Sequence, residues 1–130
     1  MIVVAENSLM ANYNPYFKGY NGFRDGSEPK VDIGLVNTYL EEEYPEMANL
    51  LKDLISCESG YNNLKCGDGG LSCGILQYQK ATFDSFCQGE WKDSQDQIDC
   101  AVKMIKTGMG SGYGGWFNCW RMKNLFKYGY

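Results

Sequence analysis

The sequence predicts a mainly helical α+β fold with one small β-hairpin, stapled by disulfide bonds. Apolar residues recur at helical spacing in several segments, and a glycine-rich stretch over 62–72 separates two of them. The chain has 130 residues, the length of one compact domain, and contains 6 cysteines but no histidine. Because an even cysteine count in a small domain is typical of disulfides and an oxidising compartment, we expect a secreted, cell-envelope or virion-associated protein.

The first 45 residues are predicted to form an arm and a helix that pack on a domain formed by residues 46–130. Residues 1–29 are rich in Asn, Tyr and Gly and show neither a helical nor a strand period, so they predict an ordered arm with turns. The aromatic side chains of the arm either pack it onto the domain or line a sugar-binding groove. The large apolar area of aromatic rings favours packing. Apolar residues at helical spacing then predict a helix over 31–44.

Further helices are predicted along the rest of the chain. A helix over 46–59 begins after Pro45 and ends near Gly60, a residue type that readily takes the left-handed conformation found at helix ends. The stretch 62–77 predicts a hairpin and the start of the next helix. Two later helices are predicted over 80–88, with Phe83, Phe86 and Cys87 inward, and over 94–107, capped by Asp93 or Ser94. Residues 108–115 then predict a flexible loop that can border a cleft. Trp116, Phe117 and Trp120 are expected to close the core as an aromatic cluster, and residues 121–130 to dock on the surface as a tail.

Glu58 is placed on the apolar face of the predicted 46–59 helix, close to its C-terminal end. It lies four positions after Leu54 and three after Ile55, so its side chain continues the buried face. Partial burial disfavours the charged carboxylate and raises its pKa, and the C-terminal end of a helix is also unfavourable for a negative charge. A carboxylic acid that stays protonated near neutral pH can serve as a general acid. We therefore interpret Glu58 as a candidate catalytic residue rather than as a solvated helix-end glutamate.

Asp68 is predicted to lie at the tip of the hairpin. Two interpretations of this residue stay open. It is either a turn aspartate that satisfies its own backbone, or a second carboxylate that faces Glu58 across a cleft. The separation of the two carboxyl groups would decide between them, and spacing along the sequence does not supply that distance.

Composition argues against several classes of site and partner. Without histidine the chain lacks Ser-His and Cys-His nucleophile pairs and the usual zinc ligand sets, and no C-x-x-C pair supports a structural zinc site. We therefore expect neither a metal nor a cofactor. The net charge is −4 and no Lys/Arg cluster is present, which argues against a nucleic-acid partner. No apolar run approaches the length of a membrane span, so we expect no membrane insertion, and we expect a monomer.

The residues around and after Glu58 form a family-like string. Glu58-Ser59-Gly60 is followed by Gly69-x-x-Ser72-x-Gly74-Ile75-Leu76-Gln77. This string resembles the lysozyme-like superfamily, and most closely the soluble lytic transglycosylases and resuscitation-promoting factors. Further similarities to the resuscitation-promoting factors lie at Cys57, Thr82-Phe83, Gln97-Ile98 and the closing segment 115–119. The chain lacks the A-x-x-Y-N segment of typical soluble lytic transglycosylases.

The resemblance implies a lysozyme-like fold and a glycosidase that acts on peptidoglycan glycan strands. The bond cleaved would be the β-1,4 linkage between N-acetylmuramic acid and N-acetylglucosamine, with Glu58 first as general acid and then as base. Substrate-binding roles fall to four residues of the string and its flank: Ser72, Gly74, Gln77 and Tyr78. Tyr78 either stacks on a sugar ring or simply packs, and Gly74 lets the backbone approach a sugar or the Glu58 helix.

Two products are compatible with the resemblance. If Glu58 acts alone, attack by the muramic 6-hydroxyl gives the 1,6-anhydro product of a lytic transglycosylase. If Asp68 assists, attack by water gives the reducing sugar released by a lysozyme. The alternative to both is a non-catalytic peptidoglycan-binding module, or a virion or toxin component, on the same fold.

The resemblance also implies one disulfide, Cys57 with Cys119, which would tie the catalytic helix to the C-terminal segment. Two more pairings are our suggestions for the remaining cysteines: Cys66 with Cys73, closing the hairpin, and Cys87 with Cys100, joining two helices. Other pairings stay open on sequence alone.

Overall fold

The computed structural model describes residues 31–110 and 112–130. The predicted N-terminal arm lies outside these residues. The described part is mainly helical, with a small three-stranded antiparallel sheet and three disulfide bonds. None of its helices combines the length and the apolar character needed to cross a bilayer.

Two helices form the first half of the described chain, α1 over Ile33–Glu43 and α2 over Ala48–Ser59. The Asp32 side chain caps α1 by accepting a hydrogen bond from the Leu35 backbone N–H at 3.2 Å. Helix α2 ends at Gly60, whose φ of 61° is the left-handed conformation expected of a terminating glycine. Both predicted helices are confirmed, with slightly shorter bounds.

The predicted hairpin is confirmed, and it belongs to a slightly larger sheet. Strands β1 (Cys66–Gly67), β2 (Ser72–Cys73) and β3 (Tyr78–Gln79) are antiparallel in that order. A 3₁₀ turn over Asp68–Gly70 joins the first two strands. The helix expected to start near Gln77 begins instead at Lys80, because β3 intervenes.

Three more helices complete the fold: α3 over Lys80–Phe86, α4 over Ser94–Lys106 and α5 over Phe117–Met122, followed by a 3₁₀ turn over Leu125–Tyr128. The Asp93 side chain caps α4, as predicted, by accepting from the Asp96 N–H at 2.9 Å. Two aromatic predictions were wrong. Within the described part of the chain, Phe86 and Phe117 lie on the surface, with 47% and 45% of their area exposed, and each sits at one end of a short helix.

The core is built around α2, whose apolar face is completely covered. The largest fully buried side chains come from α1, α2, α3 and α5, from Trp116 at the start of α5, from β3 and from the turn before β3. They are Trp116, Trp120, Tyr78, Phe83, Leu40, Leu50, Leu51, Leu54, Ile55, Ile75 and Leu76. The Trp116 indole N–H donates to the Leu76 carbonyl at 3.0 Å, so the C-terminal segment is fastened to the turn that follows β2. The tail docks through buried Leu125 and through the Tyr128 hydroxyl, which donates to Asp53 at 2.8 Å.

The three disulfides are the three that the sequence analysis suggested. Cys57 pairs with Cys119, Cys66 with Cys73, and Cys87 with Cys100. The first joins the C-terminal end of α2 to α5, the second crosses from β1 to β2, and the third joins the end of α3 to α4. No free cysteine remains, since all six are paired.

Gly74 sits against a buried glutamine at the turn after β2. The Gln97 amide donates to the carbonyls of Cys73 (2.9 Å) and Trp91 (2.6 Å), and its oxygen accepts from the Leu76 N–H at 2.9 Å. A Cβ on Gly74 would lie 2.3 Å from the Gln97 amide nitrogen, and the φ of Gly74 is +91°. Glycine is required here for close approach to Gln97, whose side chain supplies the three atoms nearest to an added Cβ.

We therefore expect Gly74→Ala to destabilise the fold by about 2–3 kcal/mol, through backbone strain and displacement of Gln97. Denaturant unfolding followed by circular dichroism measures the loss. Gly112→Ala is the matched control, because an added Cβ there meets only the Met109 carbonyl at 4.0 Å. Equal stability of the two variants would contradict the role assigned to Gly74.

Candidate active site

A cleft of about 590 Å³ opens beside the C-terminal end of α2. One wall comes from α2 and the hairpin, and the other from the segment that leads into α5 and from α5 itself. The lining residues are Glu58, Lys65, Gly67, Asp68, Ser72, Gln77, Gln79, Thr82, Tyr113, Gly114, Gly115, Asn118 and Cys119. The volume and the polar lining fit a ligand the size of a few sugar rings.

Glu58 lies half-buried in this cleft, as its helical spacing predicted. Burial raises the pKa of Glu58 from 4.5 to about 7. The positive charge of Lys65 opposes this shift, and the negative charge of Asp68 adds to it. The predicted direction of the pKa shift is confirmed, and Glu58 is therefore partly protonated at neutral pH.

Lys65 and Asp68 are the charged neighbours of Glu58. The Lys65 ammonium donates to the Glu58 backbone carbonyl at 3.0 Å, which satisfies an acceptor at the helix end and places a positive charge near the carboxyl group. Asp68 lies exposed at the hairpin tip with a φ of 53° and accepts from the Ser72 hydroxyl at 2.7 Å. Asp68 is therefore a turn residue whose carboxylate lines the same cleft as Glu58, and its catalytic role stays a prediction.

Gln77 lines the cleft, but its amide group is used by the hairpin. The amide nitrogen donates to the carbonyls of Lys65 (2.9 Å) and Gly74 (2.8 Å), and the oxygen accepts from the Gly67 N–H at 3.0 Å. Both N–H donors are therefore committed to backbone, and Gln77 holds β1 in place beside Glu58. Its main task in the structure is to position the hairpin.

Two predicted substrate-binding residues lie away from the cleft. Tyr78 is fully buried, and its hydroxyl meets the Met104 sulfur at 3.2 Å, so the packing interpretation is the correct one. Gly74 faces Gln97, as described above. Of the four substrate-binding candidates, Ser72 and Gln77 line the cleft, whereas Gly74 and Tyr78 do not.

The serine that follows Glu58 has a structural role. The Ser59 hydroxyl is buried and donates to the Ile75 carbonyl at 2.7 Å. This bond links the last residue of α2 to the turn between β2 and β3, and it fixes the end of the helix that carries Glu58. In the Glu-Ser pair, Glu58 therefore lines the cleft, and Ser59 fixes the position of the helix end beside it.

Tyr113 was not among the predicted site residues, although the loop over 108–115 was expected to border the cleft. Its ring packs edge-on against Trp116 at 4.8 Å and covers Gly115, where a Cβ would lie 2.8 Å from the ring. Burial raises the pKa of Tyr113, a hydrogen bond with Thr82 opposes the shift, and the charge of Glu58 adds to it. Tyr113 and Thr82 thus line the cleft near Glu58. This placement depends on contacts between distant segments, the bond with Thr82 and the stacking of Tyr113 on Tyr78 at 6.2 Å, rather than on any local motif.

A second cavity of about 430 Å³ is lined by Gln88, Gly89, Asp96, Asp99, Cys100 and Lys103. Asp99 accepts from the hydroxyls of Tyr39 (2.6 Å) and Tyr44 (2.7 Å), and Asp96 accepts from the Glu90 N–H at 2.8 Å. These carboxylates join α1 and the α3–α4 loop to α4. Both carboxylates therefore serve the packing of these elements.

Within residues 31–110 and 112–130, no group of three or more His, Cys, Asp or Glu side chains is arranged to hold a metal ion. Comparison of the chain with protein-family models, curated proteins and solved structures returned no match.

Proposed function

We propose that the protein is a peptidoglycan-cleaving glycosidase that acts on the β-1,4 bond between N-acetylmuramic acid and N-acetylglucosamine, with Glu58 as general acid. The observation that carries the proposal is a half-buried carboxyl group with a pKa of about 7, lining a 590 Å³ cleft. The resemblance of the Glu58-to-Gln77 string to the lysozyme-like superfamily supports the choice of substrate. The three disulfides are compatible with a protein that acts outside the cytoplasm.

In this mechanism the protonated Glu58 gives its proton to the glycosidic oxygen as the bond to the muramic C1 breaks. The sugar passes through an oxocarbenium-like state, and the resulting Glu58 carboxylate then takes a proton from the attacking hydroxyl. That hydroxyl belongs either to C6 of the same muramic residue or to water. In the second route Asp68, whose carboxylate accepts from the Ser72 hydroxyl on the hairpin wall, would stabilise positive charge or orient the water.

The products released from purified sacculi test the proposal and separate its two routes. Mass spectrometry of the soluble fragments should show muramic ends in one of two forms, and anhydro ends are lighter than hydrolysed ends by about 18 Da, one water. Either form supports a muramidase-type glycosidase. Fragments cut only in the peptide stems, or no soluble fragments at all, would contradict it.

The pH dependence of activity should move in opposite directions when the two charged neighbours of Glu58 are neutralised. A general acid must be protonated, so activity should fall as pH rises through about 7, the pKa of Glu58. Lys65→Met removes a charge that lowers this pKa and should shift the alkaline limb to higher pH. Asp68→Asn removes a charge that raises it and should shift the limb to lower pH.

Initial rates of sacculus clearing across a pH series measure both shifts. Lys92→Met is the matched control for lost positive charge, because the Lys92 ammonium lies over the Trp91 ring, outside the cleft lining. Shifts of the same sign in the Lys65 and Asp68 variants would show that the alkaline limb does not report Glu58.

A further inference from the structure

The C-terminal wall of the cleft contributes no carboxylate, although the protein as a whole is acidic. The net charge of the chain is −4, yet residues 100–130 contain five Lys or Arg and no Asp or Glu. The opposite wall holds both cleft carboxylates, Glu58 and Asp68, together with Lys65. An anionic substituent on a bound ligand would therefore meet like charge on the hairpin wall and none on the α5 wall.

Arg121 is the basic residue that contacts a cleft-lining side chain on this wall. Its guanidinium donates to the Asn118 side-chain oxygen at 3.4 Å and lies over the Phe117 ring, 5.4 Å from the ring centre. Asn118 lines the cleft, and 45% of Phe117 is exposed beside it. Arg121 is exposed and forms no ion pair with any residue in the described part of the chain.

A disulfide ties the segment that carries Phe117, Asn118 and Arg121 to the helix that carries Glu58. Cys119, between Asn118 and Arg121 in sequence, is disulfide-bonded to Cys57, which directly precedes Glu58. Because the Asn118 oxygen accepts from Arg121, the Asn118 amide nitrogen is left available to a ligand. This part of the cleft rim thus combines an amide donor, a guanidinium and an aromatic face on a segment that is disulfide-bonded to the residue before Glu58.

We propose that Phe117, Asn118 and Arg121 form a subsite for a carboxylate-bearing substituent of the glycan, with Arg121 as the ligand of the carboxylate. The inference rests on the proposed function and deepens it, because peptide stems on peptidoglycan carry carboxylates whereas chitin-type strands are neutral. Arg121 gives the cleft a preference for carboxylate-bearing strands over neutral, chitin-type strands.

Binding measured without turnover tests this subsite. In a Glu58→Gln background, affinities are compared for a peptide-bearing muropeptide tetrasaccharide and for a neutral chito-oligosaccharide of equal length. Adding Arg121→Gln should weaken muropeptide binding about fivefold, as expected for an exposed ion pair, and leave chito-oligosaccharide binding unchanged. Lys123→Gln is the matched control: it removes the same charge from the same exposed segment, and among the described residues the Lys123 ammonium, unlike the Arg121 guanidinium, does not bond to a cleft-lining side chain.

Equal weakening of both ligands by Arg121→Gln, no weakening of either, or failure of the Glu58→Gln protein to bind the muropeptide overturns the proposal. Added salt gives a second measurement that needs no change at Arg121. It should weaken muropeptide binding more than chito-oligosaccharide binding, and equal salt dependence also overturns the subsite. Binding and cleavage are measured separately. If the protein prefers the muropeptide but never releases fragments, the proposed activity is wrong and the proposed subsite stands.

Discussion

Glu58→Gln should lower the rate of sacculus solubilisation by at least about 100-fold and leave the fold intact, because general acid catalysis contributes about 10²–10⁴-fold to rates. Glutamine has the size of glutamate but cannot give a proton to the glycosidic oxygen. Turbidity loss of a sacculus suspension near neutral pH measures the rate. Glu46→Gln is the matched control, because Glu46 is exposed and lies just before the opposite end of the same helix.

A second expectation for Glu58→Gln concerns how the free energy of unfolding depends on pH. Because the pKa of Glu58 is raised to about 7 in the folded protein, the folded state binds a proton more tightly than the unfolded state. Well below pH 4.5 Glu58 is protonated in both states and does not change the free energy of unfolding. As pH rises from 4.5 to about 7, Glu58 lowers that free energy progressively, and above about 7 the loss is complete. Glu58→Gln should match or exceed the stability of the unmodified protein at alkaline pH.

Retention of full clearing activity by Glu58→Gln would remove Glu58 as the acid. A different outcome favours the alternative class of function. If the unmodified protein sediments with sacculi but releases no soluble fragments, the cleft serves a non-catalytic wall-binding module, and the raised pKa of Glu58 is a by-product of burial.

The sequence predicted the helix that carries Glu58 and the environment of its carboxyl group, for a local reason. Helical spacing alone determines which residues share a face, whatever element packs against the helix. Leu54, Ile55 and Glu58 therefore lie on the same face of α2. Gly60 set the end of the helix, and the glycines after it set the hairpin. Burial of that face then fixed the direction of the pKa shift.

The roles of Gln77 and Tyr78 could not be predicted in the same way. Both stand in or beside the family-like string, yet Gln77 bonds the backbone of its own hairpin and Tyr78 packs into the core. Tyr78 lies in strand β3, a two-residue element too short to produce an alternating pattern, and Gln77 precedes it with a φ of 53°. Tyr113 is placed near Glu58 by stacking on Tyr78 at 6.2 Å and by a hydrogen bond with Thr82, two contacts between segments distant in sequence.

Removing the Cys57–Cys119 disulfide as Cys57→Ser/Cys119→Ser should cost about 4 kcal/mol of unfolding free energy. The bridge spans 62 residues of sequence, and in the chain-entropy account a cross-link restricts the unfolded state more when the loop it closes is longer. Denaturant unfolding gives the free energy directly. A loss of this size would lower the melting temperature of a domain of this length by about 10 °C or more.

The Cys66–Cys73 bridge provides the comparison, because it spans only 7 residues. Its double serine variant should cost about 2 kcal/mol in the same account, roughly half as much. The two variants should also differ in activity. Without Cys57–Cys119 the α5 wall with Asn118 loses its covalent tie to the Glu58 helix, so clearing should fall even well below the melting temperature. Equal stability losses would show that the longer bridge acts through the folded state rather than through the entropy of the unfolded chain.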